Sequence, residues 1–379
     1  MRNLLMAAVL LLGGAIVAAA APAADPAALV ADASPLHVRI DRRPYDLEAF
    51  ALRRPGTDKL PVALITHGAL PGNPRGVTID PLRAWADEMA QRGWLAIAVM
   101  RRGYGRSTGE AHEDTSACAS PDVGGYLAAH ADDLAAALVA IAHRPDADMS
   151  RVVVIGDSAG GAAAMALAAR PSAHVAAVIN ISGGLAPRQL GPFQPDPRCG
   201  AYSSDLVWNF AKYGATAHMP TLWLYAENDS LFRPGLVARM RAAFTGSGGK
   251  VDLAMLPPFG ADGHTMFFAD GGRQVLMPEI DRFLRANGLP TWDEAAFAPL
   301  REQLSTEARE TLAYYLRSLP TEKALALAPS GHLYWREGGW RLAAVRDAVL
   351  SDCHKATGED CRLVAEDFHP ISLDGAGQQ

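Results

Sequence analysis

The chain has 379 residues, 49% of them apolar, and a formal net charge of -6. That length buries a large core and fits one or two domains. The mildly acidic balance speaks against nucleic acid, which draws on a basic face, and the charges are dispersed, with no long acidic or basic tail.

Met1-Arg2-Asn3 gives a short positive start, and Leu4 to Ala21 follow without a charge. Ala19-Ala20-Ala21 or Ala21-Pro22-Ala23 then fits a cleavage site. Residues 1–23 are expected to be a signal peptide. A retained membrane anchor is disfavoured, because the run ends in weakly apolar alanine and leads straight into that site. Residues 24–35, rich in Ala and Pro, are expected to be a flexible lead-in. No later stretch is long and apolar enough to span a bilayer, so the mature chain is expected to be periplasmic or secreted, with no stable membrane insertion.

Leu36 to Ile40 and Leu47 to Leu52 read as two strands of a hairpin-like start. Continuous apolar strands then follow at Val62 to Thr66, Trp94 to Met100, Arg151 to Ile155, Val175 to Ile181, Thr221 to Tyr225 and Val251 to Leu256. Helical spacing marks Leu82 to Gln91, Gly125 to His143, Ala159 to Ala169 and Gln274 to Ala286. Unbroken apolar runs indicate strands covered on both faces, and their alternation with helices predicts a mostly parallel α/β sheet covered by helices. The segment between Gly183 and Met219 breaks this rhythm and carries Phe193, Tyr202, Trp208 and Phe210. It is either a small lid (183–218), above the carboxyl ends of the strands, or loop packing. Residues 36–288 are taken as one domain and 289–379 as a small α+β unit. In that unit, helices over Trp292 to Leu319 and Arg341 to Leu350 accompany short strands at Lys323 to Leu327, His332 to Trp335 and Arg362 to Ala365.

Cys118, Cys199, Cys353 and Cys361 show no C-x-x-C spacing, so a zinc or redox site is not supported. Of the three possible pairings, Cys118–Cys199 with Cys353–Cys361 is expected, as suits an oxidising compartment. Arg101, Arg102 and Arg106 cluster in what reads as a solvated loop.

The strongest chemical signal is Gly156-Asp157-Ser158-Ala159-Gly160, between an apolar strand and an Ala-rich helix. G-x-S-x-G puts serine on a sharp strand-to-helix turn, where a side chain at Gly156 or Gly160 would strike backbone. The helix then begins beneath the hydroxyl and favours negative charge there. Ser158 is the candidate nucleophile; the alternative is an ordinary N-cap serine. A serine hydroxyl needs a base to take its proton. Among eleven histidines, His264 follows the last strand of the sheet and precedes the closing helix, where the order nucleophile, acid, base ends. The acid comes from Glu227-Asn228-Asp229, with Asp229 preferred and Glu227 the alternative. Oxyanion donors are expected from the backbone of Ala159 and of Ala69, with Leu70 as alternative to Ala69. His67 reads as a structural residue beneath that loop. Gly103-Tyr104-Gly105-Arg106-Ser107-Thr108-Gly109 looks superficially like a dinucleotide loop, but it does not open the first helix of the fold and no apolar helix follows it.

Taken together, His67-Gly68, Arg101 to Ser107, Gly156 to Gly160, Ala226 to Asp229 and Gly263-His264 resemble the α/β-hydrolase superfamily, in its dienelactone-hydrolase-like and serine-peptidase-like branches. The resemblance spans about Leu36 to Ala286 and implies the α/β-hydrolase fold, a Ser158–Asp229–His264 triad, no cofactor and no metal. Family members with true dienelactone activity carry cysteine as nucleophile, so serine here points to another substrate. A small carboxylic ester is the expected substrate, with an amide or short peptide as the alternative. A non-catalytic binding protein of the same fold is the reading from another class.

Overall fold

The computed structural model describes residues 29–371 apart from 57, 70–72, 113–117, 173, 187–188, 192–193, 196–198, 293, 319–321 and 339–341. The leader, the first part of the lead-in, Leu70 and Phe193 therefore lie outside the described residues.

Eight strands form the main sheet: β1 (Val30–Asp32), β2 (Ala49–Arg53), β3 (Leu60–Thr66), β4 (Leu95–Val99), β5 (Ala147–Asp157), β6 (Ala177–Ile181), β7 (Pro220–Ala226) and β8 (Lys250–Leu256). Their order is β1-β2-β4-β3-β5-β6-β7-β8. β2 pairs antiparallel with β1 and β4, and every other pairing is parallel. The apolar runs are continuous because both faces are covered. Val62 and Leu64 of β3 join one core cluster, with α2 (Val123–Ile141), α3 (Ala159–Ala168), α4 (Gly200–Gly214) and α5 (Pro234–Gly246). Ala63 and Ile65 join the other, with α1 (Asp80–Gln91) and α6 (Gly272–Ala286). All ten residues of α3 are buried, which explains their small size. This is the mostly parallel, helix-covered α/β-hydrolase architecture.

Three segments differ from the sequence reading. The arm that pairs with Leu36–Ile40 is Arg43–Leu47, turned at Asp41 and Arg42, both with positive φ. Ala49–Arg53 belongs to the main sheet instead. Helix α5 has no counterpart in that reading. Between 183 and 219, α4 buries Tyr202 and Phe210 in the main core and leaves Trp208 exposed.

The C-terminal residues form α7 (Ala298–Glu302), α8 (Thr306–Arg317) and α9 (Leu342–Thr357), with an antiparallel sheet of β9 (Lys323–Leu327), β10 (Leu333–Glu337), β11 (Arg362–Glu366) and β12 (His369–Pro370) in the order β10-β9-β11-β12. Its two faces carry separate small cores, one with Leu312 and Tyr315 of α8 and one with Val345 and Val349 of α9. Phe368, however, belongs to the core of the main sheet and stacks on Trp292. A buried ionic group lies beside this junction. Arg92 donates through Nε and Nη2 to Asp281 and through Nη1 to Glu88, while Thr291 Oγ1 and Trp292 Nε1 donate to Asp281. Disulfides join Cys118 to Cys199 and Cys353 to Cys361. No described helix is long and apolar enough to cross a membrane.

Removing one partner from a buried ion group leaves an uncompensated charge, at a cost of roughly 3–5 kcal/mol. Asp281→Ala is therefore expected to lower unfolding free energy by about that amount in urea titration, whereas exposed Arg282→Ala should change it by about 0.5 kcal/mol or less.

Candidate active site

β5 ends at Asp157, α3 begins at Ala159, and Ser158 spans the bend with φ 50° and ψ -122°. Positive φ in a non-glycine residue is strained and persists only where the surroundings hold it. The glycines permit the closeness. A Cβ on Gly156 would lie 2.3 Å from the Gly160 carbonyl oxygen, and one on Gly160 would lie 2.2 Å from that of His67. Ser158 N donates to the Ile181 carbonyl, and Ser158 O accepts from Ala162 and Gly184. Ser158 occupies the N-cap position of α3, and its side chain makes no capping hydrogen bond. The loop after β3 lies directly on this bend: a Cβ on Gly68 would be 3.0 Å from Ser158 Cβ. Ala69 next to it is half-buried, and Ala159 is buried at the start of α3.

Asp229 and His264 come together from the ends of β7 and β8. His264 Nδ1 and Asp229 Oδ2 are 3.2 Å apart, both residues buried. Asp229 Oδ1 accepts from the backbone N–H groups of Leu231 and Phe232, which fixes the carboxylate. Glu227 is exposed and turns away into solvent. No hydrogen bond joins Ser158 and His264 among the described residues; such contacts are often long before substrate binds. Burial works to lower the His264 pKa, but the hydrogen bond and charge of Asp229, with Asp157 and Asp262, leave it raised above 6.5.

Supporting residues emerge that the sequence reading did not single out. Asp262 Oδ1 accepts from His264 N and Ser230 N, and Asp262 Oδ2 accepts from Ser230 Oγ. Asn228 donates to the carbonyls of Phe259 and Gly260 and accepts from Phe259 N. These bonds tie the acid's loop to the base's loop. The signal was present in Glu227-Asn228-Asp229-Ser230 and in Asp262-Gly263-His264, whose polar neighbours lie within two residues of the candidates.

The arginine cluster is not a solvated loop. Arg101 is fully buried, Arg102 pairs with Asp133, and only Arg106, paired with Glu48, has an exposed side chain. The glycine-rich turn after it is a packing device. Gly103, Gly105 and Gly109 all have positive φ, and Arg75 donates to the carbonyls of Gly105, Ser107 and Gly109. An open cleft of about 560 Å³ lies there, lined in part by Arg75, Glu110 and His112 and by none of Ser158, Asp229 or His264. His67 is buried beneath the loop after β3, as expected of a structural residue. Among the described residues, no group of three or more His, Cys, Asp or Glu is placed to hold a metal ion.

The sequence pattern of the dienelactone hydrolase family matches residues 47–273. Similar solved structures include a protein of Klebsiella pneumoniae subsp. pneumoniae MGH 78578 provisionally assigned as a dienelactone hydrolase, at 18% identity over 68% of this chain and 99% of that one, TM-score 0.48. An esterase of Pyrococcus furiosus matches at 14% identity over 67% and 89%, TM-score 0.46. An acylaminoacyl peptidase of Pyrococcus horikoshii matches at 15% identity over 70% and 43%, TM-score 0.47. No curated protein matches the chain.

Both carboxylate oxygens of buried Asp157 lack a hydrogen-bond partner among the described residues, and burial, reinforced by Asp229 and opposed by His264 and Arg101, pushes its carboxyl up to about 7 from 3.8. The folded chain thus holds this proton more tightly than the unfolded chain does. The stability that this group contributes is therefore lost as pH rises between those two values. Asp157→Asn is expected to remove that decline, on the order of a few kcal/mol, so that its Tm gains on the wild type between pH 4.5 and pH 8. Parallel Tm curves for the two proteins would contradict it.

Proposed function

Because the chain belongs to the dienelactone hydrolase family, we propose that it is an exported serine hydrolase that cleaves small carboxylic esters through an acyl-enzyme. The observation that carries this reading is the pairing of buried Asp229 with His264 Nδ1; a serine on a strained, glycine-bounded bend supports it. Asp229 accepts a hydrogen bond from Nδ1–H, and that leaves the Nε2 lone pair as the base. Ser158 Oγ attacks the ester carbonyl carbon as His264 takes its proton. The carbonyl oxygen becomes an oxyanion held by the N–H groups of Ala159 and Ala69. His264 then protonates the leaving alcohol, activates water against the acyl-serine, and returns the proton to Ser158 as the carboxylic acid departs. No metal or cofactor is needed for any step. Serine in place of cysteine directs the proposal to esters other than dienelactones.

Export is supported by the apolar leader of residues 1–23 and by the two disulfides, which persist in oxidising compartments.

A panel of p-nitrophenyl esters of increasing acyl length, run beside aminoacyl p-nitroanilides, is expected to give turnover on short esters. Turnover confined to the anilides would replace the ester by an amide as substrate. The base must be neutral to act, so kcat/KM should rise with pH through a limb lying above 6.5, in the direction Asp229 shifts the imidazole. Asp229→Asn should move that limb down and lower kcat by about 10³–10⁴-fold. A limb unmoved by Asp229→Asn would remove Asp229 from the mechanism.

A further inference from the structure

Among the described residues, Arg101 is the one fully buried cation next to the bend, and its hydrogen bonds go to neutral oxygens. Nη1 donates to Thr66 Oγ1 at 3.1 Å and to the His67 carbonyl, and Nη2 donates to the Gly68 carbonyl at 2.9 Å. Burying a charge without a bonded counter-ion is costly, so a side chain kept in this way has a task that a neutral residue would not do. Its guanidinium also underlies the helix start, since a Cβ on Gly160 would lie 2.9 Å from Nη1.

His67 works on the same carbonyl. Its Nε2 accepts from the Arg101 backbone N–H at 3.1 Å, so the ring proton sits on Nδ1 and is donated to the Gly68 carbonyl at 2.6 Å. Arg101 Nη2, 3.4 Å from Nδ1, is then only a neighbour, not a donor to it. Burial, with the Arg101 charge, holds the His67 pKa well below its usual range and keeps the ring neutral, as this arrangement requires.

A trans peptide is planar, with C=O and N–H pointing in opposite directions. Two donors hold the Gly68 carbonyl toward the buried guanidinium, so the Ala69 N–H of the same peptide points away from it, and Gly68 itself lies against Ser158, where an added Cβ would be 3.0 Å from the serine Cβ. We propose that Arg101 and His67 form a positioning clamp that fixes the 68–69 peptide and so aims the Ala69 N–H at the oxyanion formed on Ser158, an inference that rests on Ser158 being the nucleophile. The clamp has a second effect. A cation on the carbonyl polarises the peptide and makes its N–H a stronger donor. Neither residue touches substrate; both act through Ala69.

The test compares wild type with Arg101→Lys, Arg101→Met, His67→Asn and His67→Leu, in kcat, KM and the inhibition constant of a trifluoromethyl ketone that forms the oxyanion adduct. Losing an oxyanion donor typically costs about 10²–10³-fold in kcat. Arg101→Met and His67→Leu are expected to lose on that order in kcat and in ketone affinity, with KM within about threefold and the pH limb unmoved, because the base is untouched. Arg101→Lys keeps the charge but not the fork, and should fall between wild type and Arg101→Met. Asparagine puts an amide N–H near the place of Nδ1, so His67→Asn should recover about tenfold or more over His67→Leu. If Arg101→Met does not fold, Arg101→Lys and the two His67 variants decide the matter. Folded variants that keep kcat and ketone affinity within about twofold would overturn the clamp alone. A wild type that neither turns over any ester nor binds the ketone would overturn the nucleophile reading and the clamp with it.

Discussion

The bend at residues 156–160 is the constraint on which the rest of the site depends. The serine with φ 50° sits where a Cβ on Gly156 would strike the Gly160 carbonyl, one on Gly160 that of His67, and one on Gly68 the side chains of Asp157 and Ser158. β5 delivers the chain to the bend, α3 carries it away, and the loop after β3 closes the third side. The small residues of α3 follow from the same crowding, since that helix is buried along its whole length. A residue strained in this way marks a place where geometry has been kept at the expense of local comfort.

Charge at the site is balanced over several elements and not within one pair. Asp229 faces His264, Asp262 anchors the base's loop, Asp157 is buried with no hydrogen-bond partner among the described residues, and Arg101 donates to the loop after β3. In so dry a setting each charge acts over several ångströms. This is why the choice between Glu227 and Asp229 is physical and not a matter of residue type. Asp229 is buried and accepts two backbone N–H bonds, while Glu227 two residues earlier is exposed. A carboxylate free in water would not hold an imidazole in one tautomer.

Much of this was legible in the sequence. Strands covered on both faces announce themselves as unbroken apolar runs, and the main-sheet strands read in this way were found within a few residues. Arg43–Leu47 was not, because Arg-Pro-Tyr-Asp-Leu on an outlying hairpin has no apolar run to show. Helix α5 was missed because only Val237, Met240 and Phe244 of its thirteen residues are buried. Ser158, Asp229 and His264 were named from spacing and chain order, and the fold brings the latter two into contact. The arginines were misread for a more basic reason. Adjacent charges on a turn point to different places, and sequence carries no record of which one turns inward. Arg101 goes into the protein, Arg102 lies along α2 against Asp133, and Arg106 faces solvent.

The central claim is that the hydroxyl on this bend is a nucleophile. Treating the folded protein with a fluorophosphonate and mapping the adduct by peptide mass spectrometry tests it most directly. The account predicts one phosphonyl group per chain, on Ser158, and none after heat denaturation. A folded protein that takes up no phosphonyl group, or takes it up on a different serine, would contradict it.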